Sequence, residues 1–142
     1  MNQKTRIALL SGWLAVMAFF SFVVAPAAFK VLPTQYLAGQ LVSRALGVTE
    51  IFGLVMGGVL LVLLLVARGR KTKAFLFELL LVALMTAAMA MSKFVSGRMH
   101  GLRLQAGDGL YALPMSDPIR SNFDQLHQYS VGLTGFAMLA AI

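Results

Sequence analysis

Apolar residues in this chain do not alternate with polar ones; they gather in long runs separated by short clusters of charge, proline and glycine. The runs 7–29, 44–67, 74–93 and 123–142 are each long enough to cross a bilayer, because about 20 residues at ~1.5 Å each span a ~30 Å hydrocarbon core. Apolar runs of that length predict helices. The fold class that follows is all-α, an integral membrane four-helix antiparallel bundle forming one transmembrane domain over residues 1–142. Three connections separate the runs. The stretch 31–43 reads as a connector in which Pro33 and Thr34 start a short helical run. Arg68, Arg70, Lys71 and Lys73 crowd a tight basic turn. The stretch 94–122 is the only long outer loop; Gly97, Gly101, Gly107, Gly109, Pro114 and Pro118 interrupt it. Its first part, 95–104, extends the third helix with Arg98 and Arg103 on the wet side, and Ser121 or Asn122 caps the fourth.

Composition agrees with lipid as the solvent. The hydrophobic fraction is 59% and the charged fraction 12%, against roughly 45–50% and 25% in soluble domains. Cysteine is absent, which removes disulfides, thiolate metal sites and cysteine nucleophiles. The net charge of +7 does not point to nucleic acid, because the basic residues sit at the ends of the apolar runs, where they anchor spans and set topology. The start imitates a secretory signal, yet its apolar run exceeds the ~7–15 residues of a signal core and reads as the first span, with Trp13 near one interface. Basic residues tie at six on each side, but the 68–73 turn packs four of them beside two helix ends. Both termini and that turn are therefore placed in the cytoplasm, with the protein in the inner membrane. The last run ends without a basic anchor, which suggests a chain continuing past Ile142.

The informative residues are the polar ones inside the runs. Antiparallel crossing brings Glu50, Lys93, Asp124 and His127 into one outer-leaflet layer, with Pro26 interrupting the first helix at a similar depth. Each ionisable group near mid-bilayer costs about 2.5–3.5 kcal/mol on insertion scales, so pairing or a wet cavity is expected. His127, Ser130, Thr134 and Met138 recur on one face of the last helix, and Asp124, three residues before His127, is placed to fix its tautomer. Glu50, Gly53 and Gly57 share a face of the second span, and Gly53-x-x-x-Gly57 is a packing seam that lets another helix approach. Packed together, the two faces would line one pocket. The plainer reading stands beside this: Glu50 and His127 near helix ends snorkel to the headgroups or make a structural bond, Lys30 and Lys93 anchor the interface, and Glu78 reaches back to the basic turn.

Three passages resemble a known family. Phe-Val-Val-Ala-Pro-Ala-Ala-Phe at 22–29, Ala-Gly-Gln-Leu at 38–41 and Phe-Asp-Gln-Leu-His-Gln-Tyr-Ser at 123–130 look like the domain of unknown function 4149 family, which includes the transmembrane protein 205-like proteins. The resemblance implies a four-span helical membrane protein without a defined activity. It also implies a distant kinship with the copper-resistance protein D type of bundle, in which histidines hold haem; only His127 and Pro26 carry over, and a second intramembrane histidine is missing, since His100 lies in or near the outer loop. Nine methionines, among them Met85, Met89 and Met91, raise Cu(I) binding, but methionine is also ordinary core filler. No cofactor is expected, haem and copper being the alternatives and His127 the one weak metal candidate. No phosphate loop, zinc-protease helix or nucleophile elbow occurs.

Three functions remain open on these residues. The first is a non-enzymatic protein whose outer-leaflet pocket binds or moves a small solute or cation. The second is an accessory subunit of a larger membrane complex, or a homo-oligomer, docking through the Gly53 face and the 94–122 loop. The third is a haem or copper protein. Lipid is the surrounding partner in each.

Overall fold

The computed structural model describes residues 3–66 and 72–142; apart from Thr72 and Lys73, the 68–73 basic turn lies outside the described residues. The first helix, α1 (Gln3–Phe19), passes through one wide π turn, Phe20–Val24, into α2 (Ala25–Val31). The amide of Ala25 donates five residues back to the carbonyl of Phe20. Pro26 explains the wide turn, because proline lacks an amide hydrogen and its ring collides with the carbonyl four residues earlier in a regular α-helix. Pro26 therefore interrupts the hydrogen-bond pattern without ending the helix. The end comes at Leu32, which is extended (ψ 141°) as the residue before Pro33 must be.

Two elements run further than the apolar pattern suggests. α3 (Gln35–Val66) begins nine residues before Arg44, with the Thr34 hydroxyl accepting from the amide of Leu37 at 3.2 Å. α4 (Lys73–Ala106) continues thirteen residues past Lys93, two beyond the extension to 104 that the sequence predicts, so nearly half of the 94–122 stretch belongs to this helix. At ~1.5 Å per residue α4 is ~51 Å long and must protrude from a ~30 Å core. Its protruding part stays helical because Val95 and Met99 recur on the face that packs against Phe123 and Leu110. Thr72 caps its start, accepting from the amide of Phe75, and Gly107 ends it at φ +59°, a left-handed conformation that glycine adopts without penalty. A short 3₁₀ turn, Gly107–Ala112, leads to α5 (Pro118–Ala140). The cap of α5 is Asp117, not Ser121 or Asn122: its Oδ1 accepts from the amides of Ile119 and Arg120 at 2.8 and 3.4 Å, and Pro118 occupies the first helical position, where no amide donor is needed.

The bundle is antiparallel by register. Glu50 meets Ser92 and Ser96, Gly53 meets Met89 and Gly57 meets Thr86, so α3 and α4 run in opposite directions. Phe123 packs near Val95 and Met99, and Ala137 near Met85 and Met89, which sets α5 antiparallel to α4. Leu9 and Leu10 of α1 pack with Leu60, Leu64 and Val82 at the end where Arg6 Nε pairs with Glu78 Oε1 at 3.1 Å. Glu78 thus pairs across to the first helix. Trp13 is not at an interface; it is 1% exposed in the central layer with Met17, Met85 and Met89. Among the described residues, three helical stretches, Lys4–Val31, Gln35–Val66 and Lys73–Ala112, are long and apolar enough to cross a membrane. α5 is the exception to the four expected spans, because Arg120, Asp124, Gln125, His127 and Gln128 fill its first half.

Candidate functional site

The polar residues that the sequence places at one depth divide between two sites. The first lies between α3 and α4. Glu50 is fully buried, and its Oε1 accepts from the hydroxyls of Ser92 at 2.6 Å and Ser96 at 2.8 Å. Lys93 Nζ lies 4.0 Å from Oε2 while nearly half of its side chain stays exposed. Ser92 and Ser96 sit one turn apart on one face of α4, so both hydroxyls converge on one carboxylate oxygen. The glycine seam belongs to this interface. A Cβ on Gly53 would stand 2.8 Å from Trp13 Nε1 and 3.1 Å from Met89 Sδ, and one on Gly57 would overlap the Thr86 hydroxyl. The Gly53 face therefore packs on α4 and α1 rather than on α5, and it is not free to dock a partner.

The second site is a cavity of about 700 Å³ between the first helix and α5, floored by α3 and α4. Asp124, His127, Ser130 and Pro26 line it; Glu50 and Lys93 do not, and Ser96 alone belongs to both sites. The phenylalanines of the π turn, Phe20 and Phe22, and Leu46, Val131 and Met138 form apolar walls. At its other end stand Arg103, Arg120, Tyr111 and Ser43. Asp124 does not orient His127: its Oδ2 accepts from Arg120 Nε at 2.8 Å, and His127 is exposed without a hydrogen bond among the described residues. An i, i+4 arginine with five donors outcompetes an imidazole at i+3 for one carboxylate.

Sequence reasoning also placed Arg103 wrongly. Instead of facing water it is 5% exposed, with Nη1 donating to Ser43 Oγ at 2.6 Å and its guanidinium 5.2 Å from the Phe123 ring centroid. Arg120 sits over Tyr111 at 5.1 Å. Gly39 permits this packing, because a Cβ there would stand 2.8 Å from the Tyr111 hydroxyl and 3.1 Å from Arg103 Nη2. The signal was present in part: Val95, Met99 and Arg103 recur every four residues, which puts the arginine on the buried face. A second groove, of about 570 Å³, lies between Phe94 on α4 and Gln125 on α5; no buried ionisable residue lines it, which leaves the first cavity as the candidate site.

No group of three or more histidine or acidic side chains capable of holding a metal ion occurs among the described residues. His100 is exposed and does not line the cavity, so His127 has no histidine partner for a bis-histidine haem there. Those residues do not fit that group.

Helices of this length and apolarity define a polytopic helical membrane protein. The family model described as "Domain of unknown function (DUF4149)" matches residues 8–107, and the chain belongs to that family. The match covers α1 through the end of α4 and stops before α5, where His127 lies. An uncharacterized protein of Aquifex aeolicus (strain VF5) is 36% identical over 104 residues, covering 72% of this chain and 73% of its own length. No solved structure matches significantly.

Proposed function

We propose that this membrane protein binds or moves a small solute in the cavity between its first helix and α5. The observation that carries the reading is the cavity itself: about 700 Å³, within the ~300–1,000 Å³ of small-molecule sites, with apolar walls and a few convergent polar groups. His127 contributes an imidazole that no protein group engages among the described residues, and the wide turn before Pro26 holds Phe20 and Phe22 on the opposite wall. A cation is the poorer occupant, because Arg103 and Arg120 both line the space and its one carboxylate, Asp124, is already paired with Arg120.

Gly135 supplies the test. It lines the cavity, and a Cβ built on it meets nothing within 4 Å, so a side chain can start there without a clash, and Gly135→Trp is chosen to occupy the space. Native mass spectrometry of protein released from membranes is expected to show a small-molecule adduct on the wild type and none on the variant. Adducts of equal abundance on both would count against the reading.

In the same reading the protein sits in the inner membrane with the Arg6–Glu78 end in the cytoplasm and the cavity in the opposite leaflet. The clustering of basic residues at 68–73, with Lys4 and Arg6 on that side, supports it. The chain has no cysteine, so Lys4→Cys and Asp108→Cys each give a single thiol for labelling. An impermeant maleimide applied to intact cells, or to spheroplasts where an outer membrane surrounds them, is expected to label the second and spare the first; the reverse pattern inverts the orientation.

A further inference from the structure

Among the described residues, the ion pairs leave out the most buried cation. Arg6 has Glu78, Arg120 has Asp124, and Lys93 has Glu50. Arg103, at 5% exposure, has no carboxylate within ion-pair distance among the described residues; its protein contacts are the Ser43 hydroxyl and the Phe123 ring, and its Nε is buried without a hydrogen-bond partner. Charged side chains are almost never fully buried unless paired. Arg103 lines the cavity, as do Arg120 and the Tyr111 phenol, so its charged end offers two guanidinium groups and a hydroxyl against a single carboxylate.

Most of the rest of the lining is apolar. From Arg120 the α5 side descends through Asp124, His127, Ser130, Val131 and Thr134 to Met138, about 27 Å along the axis at ~1.5 Å per residue. That distance is comparable to the ~30 Å hydrocarbon core of a bilayer. Phe20, Phe22 and Leu46 form the facing walls. The polarity therefore changes along the cavity, from cationic at the Arg103 end to largely apolar at the Met138 end.

We propose that the occupant is a single-chain amphipath with an anionic head, a long-chain carboxylate or phosphate monoester, whose head is held by Arg103 and whose tail lies between the first helix and α5. The planar guanidinium fork suits both head groups, which accept two parallel hydrogen bonds from it. This rests on the cavity reading above and names the class of solute.

The test uses the full chain reconstituted in phosphatidylcholine bilayers and three spin-labelled probes that share one tail: doxyl-stearate above its titration range, its methyl ester, and the alkyl-trimethylammonium analogue. Electron paramagnetic resonance reads the motionally restricted fraction of each. Stearate is expected to be retained about tenfold over the ester, the ratio that one charge-assisted hydrogen bond supplies, and the ammonium analogue least. Gly135→Trp is expected to remove the restricted fraction for all three probes. Arg103→Gln is expected to bring stearate down to the ester, and Arg103→Lys to keep part of the preference. The wild-type comparison needs no variant, so it stands even if Arg103→Gln does not fold. Equal retention of stearate and ester, both abolished by Gly135→Trp, overturns the anionic head and leaves the cavity reading intact. Restricted fractions insensitive to Gly135→Trp overturn both. Competition identifies the source: displacement of stearate by oleate rather than by phosphatidic acid supports a single chain, and preferential displacement by phosphatidic acid overturns it.

Discussion

The Glu50 cluster and the Arg103 cavity draw on the same kind of residue and resolve it in opposite ways. Glu50 is fully buried, yet two serine hydroxyls satisfy one of its oxygens and a lysine stands near the other; the site is closed and its partners come from the neighbouring helix. Arg103 is nearly as buried, but it faces one hydroxyl, an aromatic ring and a cavity. An ionisable residue inside a membrane helix is a candidate functional group by default, and these two differ in what stands opposite the charge: Oε2 of Glu50 makes no hydrogen bond but has Lys93 Nζ at 4.0 Å, whereas Arg103 has no carboxylate within ion-pair distance among the described residues.

The comparison breaks most readily at the closed site. Replacing Ser92 and Ser96 together by alanine leaves a buried carboxylate without its hydroxyl donors, and each lost hydrogen bond to such a group costs about 1–3 kcal/mol. Unfolding in mixed micelles is expected to register the sum as the largest loss among these variants. A change under about 0.5 kcal/mol, the scatter of neutral surface substitutions, would show that Glu50 does not depend on those hydroxyls. Next comes Gly57→Ala. Its Cβ overlaps the Thr86 hydroxyl, which donates to the Val82 carbonyl of its own helix at 2.7 Å, and overpacking of this kind costs about 1–3 kcal/mol. Thr86→Ala in the same chain is expected to recover most of that loss, since two residues in contact do not act additively. Asp117→Ala sharpens the cavity side: losing the cap of α5 costs about 0.5–2 kcal/mol and is expected to raise amide hydrogen exchange in the first turn, around Arg120.

The fold was largely legible because long apolar runs leave helices as the economical way to satisfy backbone groups in lipid. What the pattern could not show is which face of a helix is buried once it leaves the bilayer. α4 continues to Ala106 on a buried stripe of Val95, Met99 and Arg103, and an arginine in that stripe reads as polar by composition while it is buried by position. Glu50 stood out because it is an isolated ionisable residue in an apolar run, and His127 because it shares one helix face with Ser130 and Thr134 and lies three residues from Asp124. Their partners did not: Ser92 and Ser96 are unremarkable on a helix until the register of α3 against α4 is known. Trp13 misled for a related reason, since tryptophan favours interfaces on average but here fills the space left above Gly53.

The smallest expected effect is the one that separates the two regions most cleanly. His127 is exposed, has no hydrogen bond among the described residues and belongs to the cavity wall, so its replacement by alanine removes no protein contact that stability depends on. Surface substitutions of that kind stay within about ±0.5 kcal/mol, and His127→Ala is expected to unfold with the wild type in mixed micelles while the abundance of the small-molecule adduct changes. A loss comparable to that of the Ser92 and Ser96 pair would mean that the imidazole is a structural element like Glu50. The division between a closed site that holds helices and an open one that holds a solute would then fail at His127.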